Sequence, residues 1–194
     1  KWSYSSLNKL FYHPYQFAFS YLLKLRRSSI ESIKNENRIK GVVGHYVFEL
    51  LFSIPDILNL DEQALKTHFD TIYANALAKK GAIFLLYGKE SERQSLKRTL
   101  FEAAKSFRLK IIANDWKINR DSCERKTNGN VLDDLRFFGI MDMVLTRGDE
   151  VLILDLKWYQ TAKKTSELSS KEDLQLILYA LLEEKLSGKK VHTG

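Results

Sequence analysis

The chain has 194 residues, 44% hydrophobic and 28% charged, with only two prolines; this describes one folded domain and excludes a disordered chain. A single cysteine, Cys123, excludes a disulfide framework and any all-cysteine metal or iron–sulfur site. The net charge of +7 favours a polyanionic partner such as nucleic acid, and no apolar run reaches the about 18 residues of a membrane span, so a reducing, cytoplasmic setting is expected.

In chain order, Ser5 or Ser6 is the expected cap of a helix beginning near Leu7, and Pro14 suits the first turn of a second helix through YQFAFSYLLKL. Residues 26–40 are polar and read as a surface connection or an extended segment. GVVGHYVFELLFSI (41–54) has helical spacing, and Pro55 with the capping-like NLDEQ separates it from a helix over roughly 61–79. AIFLLYG (82–88) fits a short buried strand or a helical continuation. An amphipathic helix is expected over 90–107, a strand over 109–120, and a loop with an Asn-Gly turn over 121–134. A hairpin (139–158) and a last helix (171–186) follow. This order implies an α/β domain in which a mixed central sheet is flanked by helices. The opening KWSYSSL lacks an initiator Met and reads as a domain excised from a longer protein.

The hairpin GIMDMVLTRGDEVLILDLKW raises a chemical question. Its aliphatic strands carry Asp142, Asp155 and Lys157, and ionised groups there are costly unless paired or holding a metal. Alternation puts Val151, Ile153, Asp155 and Lys157 on one face and Leu152, Leu154, Leu156 and Trp158 on the other. Pairing across a turn near Gly148 brings Asp142 beside residues 153–155, to within one or two residues of register. Two carboxylates and an ammonium at one place suit metal-assisted phosphodiester hydrolysis. Carboxylates hold a hard cation such as Mg²⁺, the cation polarises phosphate and activates water, and a lysine stabilises the developing charge. Taken alone, D-x-K is more often an Asp–Lys ion pair at a strand end.

GIMDMV followed by ILDLK resembles the acid-then-D-x-K core of the PD-(D/E)XK nuclease superfamily, and within it the chain is similar to the RecB-like exonuclease branch. Three further pieces fall in that branch's order. SSLNKLFYHPYQFAFSYLLKL (5–25) resembles its N-terminal signature, GVVGHYVFELL (41–51) its histidine-bearing helix, and EDLQLILYA (172–180) its Gln-x-x-x-Tyr helix. The resemblance implies a restriction-endonuclease-like core with an N-terminal helical segment. The helical part with His45 would cover about 1–80, and the sheet core with the following helix about 81–194.

It also implies Mg²⁺ or Mn²⁺ held by His45, Asp142, Asp155 and the backbone carbonyl of Leu156, with Lys157 as the catalytic lysine. Gln175 and Tyr179, four apart and so on one helix face, would reach the active site or the DNA strand. Glu49, one turn beyond His45, is left as support. Lys163 and Lys164 are the best candidates for phosphate contact, and Asp115 is an acidic residue that is either a ligand or solvent-facing. Two departures stand out: His13 replaces the signature's cysteine, so no iron–sulfur cluster is expected within this chain, and Trp158 follows the lysine where relatives often have a small polar residue. GKKVHTG ends the chain where relatives run into another strand, so a final sheet edge is expected to be missing.

The expected function is a metal-dependent deoxyribonuclease, an exonuclease in repair or recombination, acting on DNA with single-stranded ends and associated with a helicase module or subunit. The rival is a catalytically silent DNA-binding or scaffolding module, against which the complete His–Asp–Asp–Lys set argues.

Overall fold

The computed structural model describes residues 2–25, 36–119, 121–132, 135–157 and 173–194. Ser3, rather than Ser5 or Ser6, caps the first helix. Its hydroxyl accepts from the Ser6 N–H at 3.3 Å while the Ser6 hydroxyl accepts from the Ser3 N–H at 2.9 Å, closing a capping box on α1 (Tyr4–Tyr12). Pro14 opens α2 (Pro14–Phe17), where its missing N–H costs nothing, and the chain continues through a wider π-helical turn over Ala18–Leu22.

Helix α3 spans Glu36–Phe52, so residues 36–40 are helical rather than a connection or an extended segment. Helix α4 (Glu62–Lys80) starts at Asp61, whose carboxylate accepts the Ala64 N–H. AIFLLYG makes a 3-10 turn over Ala82–Leu85, neither strand nor continued helix. Helix α5 (Glu90–Ala113) runs on past Phe107. The strand expected over 109–120 therefore shrinks to one bridge, Lys117 with Thr146. Leu100, Ala104 and Ile111 keep helical spacing and are all buried, so packing overrides the β preference of the Ile pair.

The larger correction concerns 121–134. Residues Cys123–Leu132 form strand β1 instead of a loop, and Asn128–Gly129 lies in mid-strand opposite Phe138 and Phe137. Strand β2 (Leu135–Arg147) and β3 (Glu150–Leu154) make the expected hairpin, turning at Gly148 with φ 55°. Helix α6 (Leu174–Ser187) starts at Asp173 and ends at left-handed Gly188. The tail GKKVHTG, where a final sheet edge is expected to be missing, itself forms a strand: β4 (Lys190–Thr193) runs parallel to β3. Among the described residues the sheet has four strands in the order β1-β2-β3-β4, the first three antiparallel.

Two cores flank it, as the alternation along β3 requires. Leu152 and Leu154 pack against a helical cluster built from α3, α4 and α5, with Phe52, Phe69 and Phe84 at its centre. Val151 and Ile153 pack against α6 and α1 through Leu176, Leu182 and Leu7. The result is a mixed α/β domain with a helix-covered sheet. No helix among the described residues is long and apolar enough to cross a membrane.

Candidate metal centre

The site forms where the sheet changes its facing. On β1, Cys123 packs toward the helical cluster, but Arg125, two residues on, reaches Glu183 of α6 on the opposite side with two contacts of 3.0 Å. On β2, Phe137 and Met141 pack with Val144 on the α6 side, whereas Met143 and Leu145 belong to the helical cluster. Strict period-two alternation forbids both patterns, so each strand reverses its faces at one point. The pairs Cys123–Met143 and Arg125–Met141 flank it, which makes that point Glu124 opposite Asp142. Glu124 has φ 48°, in the left-handed region, uncommon for a residue with a Cβ. Outliers of this kind cluster at functional sites.

His45 of α3 completes the group. One ligand atom each from His45, Glu124 and Asp142 lie within 4.8 Å of one another, with His45 Nδ1 3.5 Å from Asp142 Oδ2. Burial pushes the Asp142 carboxyl above the usual range, and Asp155 pushes it further, while His45 and the Leu156 N–H pull it back. Burial likewise raises the Glu124 carboxyl, with Asp142 and Glu49 adding to the effect. Converging carboxylates that repel one another, beside an imidazole nitrogen, are a donor set that a divalent cation fits.

The D-x-K residues adjoin this group. The β2–β3 register, Met143 with Leu154, carries on to set Asp155 opposite Asp142. The Leu156 N–H donates to Asp142 Oδ2 at 2.7 Å. Lys157 Nζ donates to Asp155 Oδ1 at 2.7 Å, with Asp155 only 6% exposed. Gln175 Nε2 lies 3.4 Å from the same oxygen. Tyr179, one helical turn on, donates to the Ile140 carbonyl at 2.8 Å, and burial raises its phenol. A Cβ on Gly139 would fall 2.3 Å from the Tyr179 ring, so glycine here is what lets the ring lie on the β2 backbone.

Thus His45, Asp142, Asp155, Leu156, Lys157, Gln175 and Tyr179 come together. Gln175 contacts Asp155, and Tyr179 contacts the strand that carries Asp142. Asp115 does not join them. It stands in the turn after α5, two residues before Lys117, which bridges to Thr146 near the far end of the hairpin. Trp158, Lys163 and Lys164 lie outside the described residues. Glu124 was missed because CERKTNGNVL reads as a polar loop; the available signal was the acid next to Cys123 in a run that can alternate.

Comparison with known proteins agrees with this geometry. Residues 1–193 match the model of the PD-(D/E)XK nuclease superfamily, and the chain belongs to that superfamily. No curated protein and no solved structure matches it.

Proposed function

We propose that this member of the PD-(D/E)XK nuclease superfamily is a metal-dependent deoxyribonuclease of the RecB-like exonuclease branch, serving DNA repair or recombination. The observation that carries this is the meeting of His45, Glu124 and Asp142 beside the Asp155–Lys157 pair. His45, Asp142 and Glu124 would hold Mg²⁺ or Mn²⁺, with Asp155 and the Leu156 carbonyl as the further donors implied by the family pattern. Such a cation supplies Lewis acidity that polarises a phosphodiester and activates water.

The remaining work falls to the chain's own groups. The Leu156 N–H fixes one oxygen of Asp142 and so orients the carboxylate. Asp155 anchors the Lys157 ammonium at the mouth of the site, where a fixed cation stabilises charge developing on the phosphate oxygens. Gln175 steadies Asp155 from α6. Phosphate contacts from Lys163 and Lys164 would add affinity without sequence choice. The whole chain is read as one nuclease domain of a longer protein, working with a helicase module or subunit.

The test is digestion of end-labelled single- and double-stranded DNA with Mg²⁺, Mn²⁺ or EDTA, using wild type, Asp155→Ala and Lys157→Ala. Cleavage that needs metal and disappears in both variants is expected. Binding without cleavage would favour the silent module, and cleavage that survives both substitutions would displace these residues from the site.

A further inference from the structure

The N-terminal helices expose more aromatic surface than their packing explains. Trp2, Phe17 and Tyr21 stack around buried Phe17, with centroids 5.8 and 5.2 Å apart, and Tyr21 is 41% exposed. Tyr12, Tyr15 and Phe19 are more exposed still, at 70%, 80% and 52%, and Phe11, Leu22, Leu23 and Leu25 are exposed as well. Exposed apolar side chains gathered in one short segment mark an interaction surface. Residues 2–25 contain Lys9 and Lys24 but no Asp or Glu, in a chain with 24 acidic residues. A surface of rings and cations without carboxylates complements a partner that offers flat apolar faces on an anionic backbone.

The position of this lobe relative to the catalytic carboxylates narrows the partner further. Trp2 donates its N–H to the Arg136 carbonyl and accepts the Phe138 N–H, at 2.9 and 2.7 Å. Because β1 occupies the other edge of β2 there, Trp2 takes the same edge that β3 uses from Met143 onward. The lobe and the metal group therefore border one edge, separated by residues 139–141. Phe138 and Ile140 lie along it, 39% and 37% exposed, and alternate with Phe137 and Met141, which face α6. Phe138 to Asp142 is four residues, about 13 Å of strand.

Resting on the nuclease reading above, we infer that the Tyr12–Tyr15–Phe19 face binds single-stranded DNA and leads it past Phe138 and Ile140 to Asp142. Unpaired bases stack on aromatic rings whatever their sequence, whereas duplex keeps its bases covered. Lys9 and Lys24 supply charge for the phosphates.

Fluorescence anisotropy in EDTA tests this, using fluorescein-labelled oligothymidylate and a duplex of equal length. The Tyr12→Ala/Tyr15→Ala/Phe19→Ala variant should bind the single strand about 10- to 100-fold more weakly, with duplex affinity unchanged. Tyr15→Trp should keep wild-type affinity. Should the triple variant lose its far-UV circular dichroism, Tyr15→Ala alone, about 5-fold or more weaker on the single strand, decides. Unchanged single-strand affinity in a folded variant overturns the inference, as does an equal loss on duplex. A wild type that self-associates through these rings, with DNA affinity independent of them, overturns it in favour of a second copy. EDTA separates the two readings: ring-dependent binding by a chain that never cuts keeps this inference and removes the nuclease, while cleavage with ring-independent binding does the reverse.

Discussion

The two ends of the β2–β3 hairpin treat their carboxylates differently. At the closed end Glu150 meets Arg147 at 2.7 Å, His192 at 3.2 Å and Lys190 at 3.7 Å, and Arg147 and His192 hold its carboxyl below the usual range. At the open end Glu124 and Asp142 face each other, with Asp155 close by; burial raises both carboxyls, Asp142 adds to the rise at Glu124 and Asp155 to that at Asp142, while His45 pulls Asp142 back. Lys157 is committed to Asp155. One end is electrically complete within the chain; the other gathers negative charge that an added cation would complete. A carboxylate on a strand is thus no sign of function by itself: the partners of Glu150 lower its pKa, whereas burial is the first cause of the rise at Glu124 and Asp142.

The contrast can be broken most severely by removing the charged groups of the open end. Lys157→Ala should slow metal-dependent cleavage by about 10³-fold, read on end-labelled DNA, while Arg147→Ala at the closed end leaves the rate unchanged. Next in size, Mn²⁺ at 100 times its Kd should stabilise the folded protein by about 2.7 kcal/mol. Calorimetry should show that gain largely lost in Asp142→Asn. Gly139→Ala, which drives a methyl into the Tyr179 ring, should cost about 1–3 kcal/mol in urea unfolding.

A smaller effect has the opposite sign. In EDTA, Glu124→Gln should stabilise the protein by about 1 kcal/mol, because it removes one of the repelling carboxylates, even as it weakens Mn²⁺ binding. The pH dependence follows the same division. Asp142 and Glu124 have raised folded pKa values, so the metal-free protein binds their protons more readily than the unfolded chain does. It should lose stability as pH rises above about 4, and Asp142→Asn should flatten that slope. Glu150, with a lowered pKa, contributes in the other direction: its stabilisation is present above the ordinary carboxylate pKa and lost as pH falls through the folded value. A small loss of stability is expected of Arg147→Ala, since its pair with Glu150 is partly exposed and shared with other basic groups, and what it does lose includes the stacking on Trp116 and the bond to the Asn114 carbonyl.

The hairpin and its chemistry were legible in the sequence because alternation and the Arg-Gly-Asp turn leave few registers, and the observed pairing sets Asp155 across from Asp142 within the expected range. The last helix was legible through its apolar spacing, with Gln175 and Tyr179 on one face. Strand β1 was not. It is an edge strand whose inward face toward α6 carries Arg125, bonded to Glu183, buried Thr127 and Gly129, so CERKTNGNVL carries no apolar stripe, and Asn-Gly advertises a turn it does not make. Glu124 was lost with it, since its role depends on a left-handed backbone that no side-chain pattern records. The end of α5 was misjudged for a different reason: Ile111 and Ile112 favour strands in isolation, and burial of Ile111 decides for helix.

The attachment of Trp2 and of β4 has a consequence for how the molecule assembles. Both sit on the sheet, one bonded to β2 and the other to β3, although they come from opposite extremes of the sequence. The Asp155 N–H is itself bonded to the Gly194 carbonyl at 3.2 Å. Closing such long loops comes late and slowly, because their entropy is lost before the contacts return anything. On a ribosome the helices of residues 36–113 can gather as they emerge. The edge that carries Asp155 gains its β4 partner only once residues 190–194 have emerged, so the acidic strands acquire their final geometry after the helices have gathered.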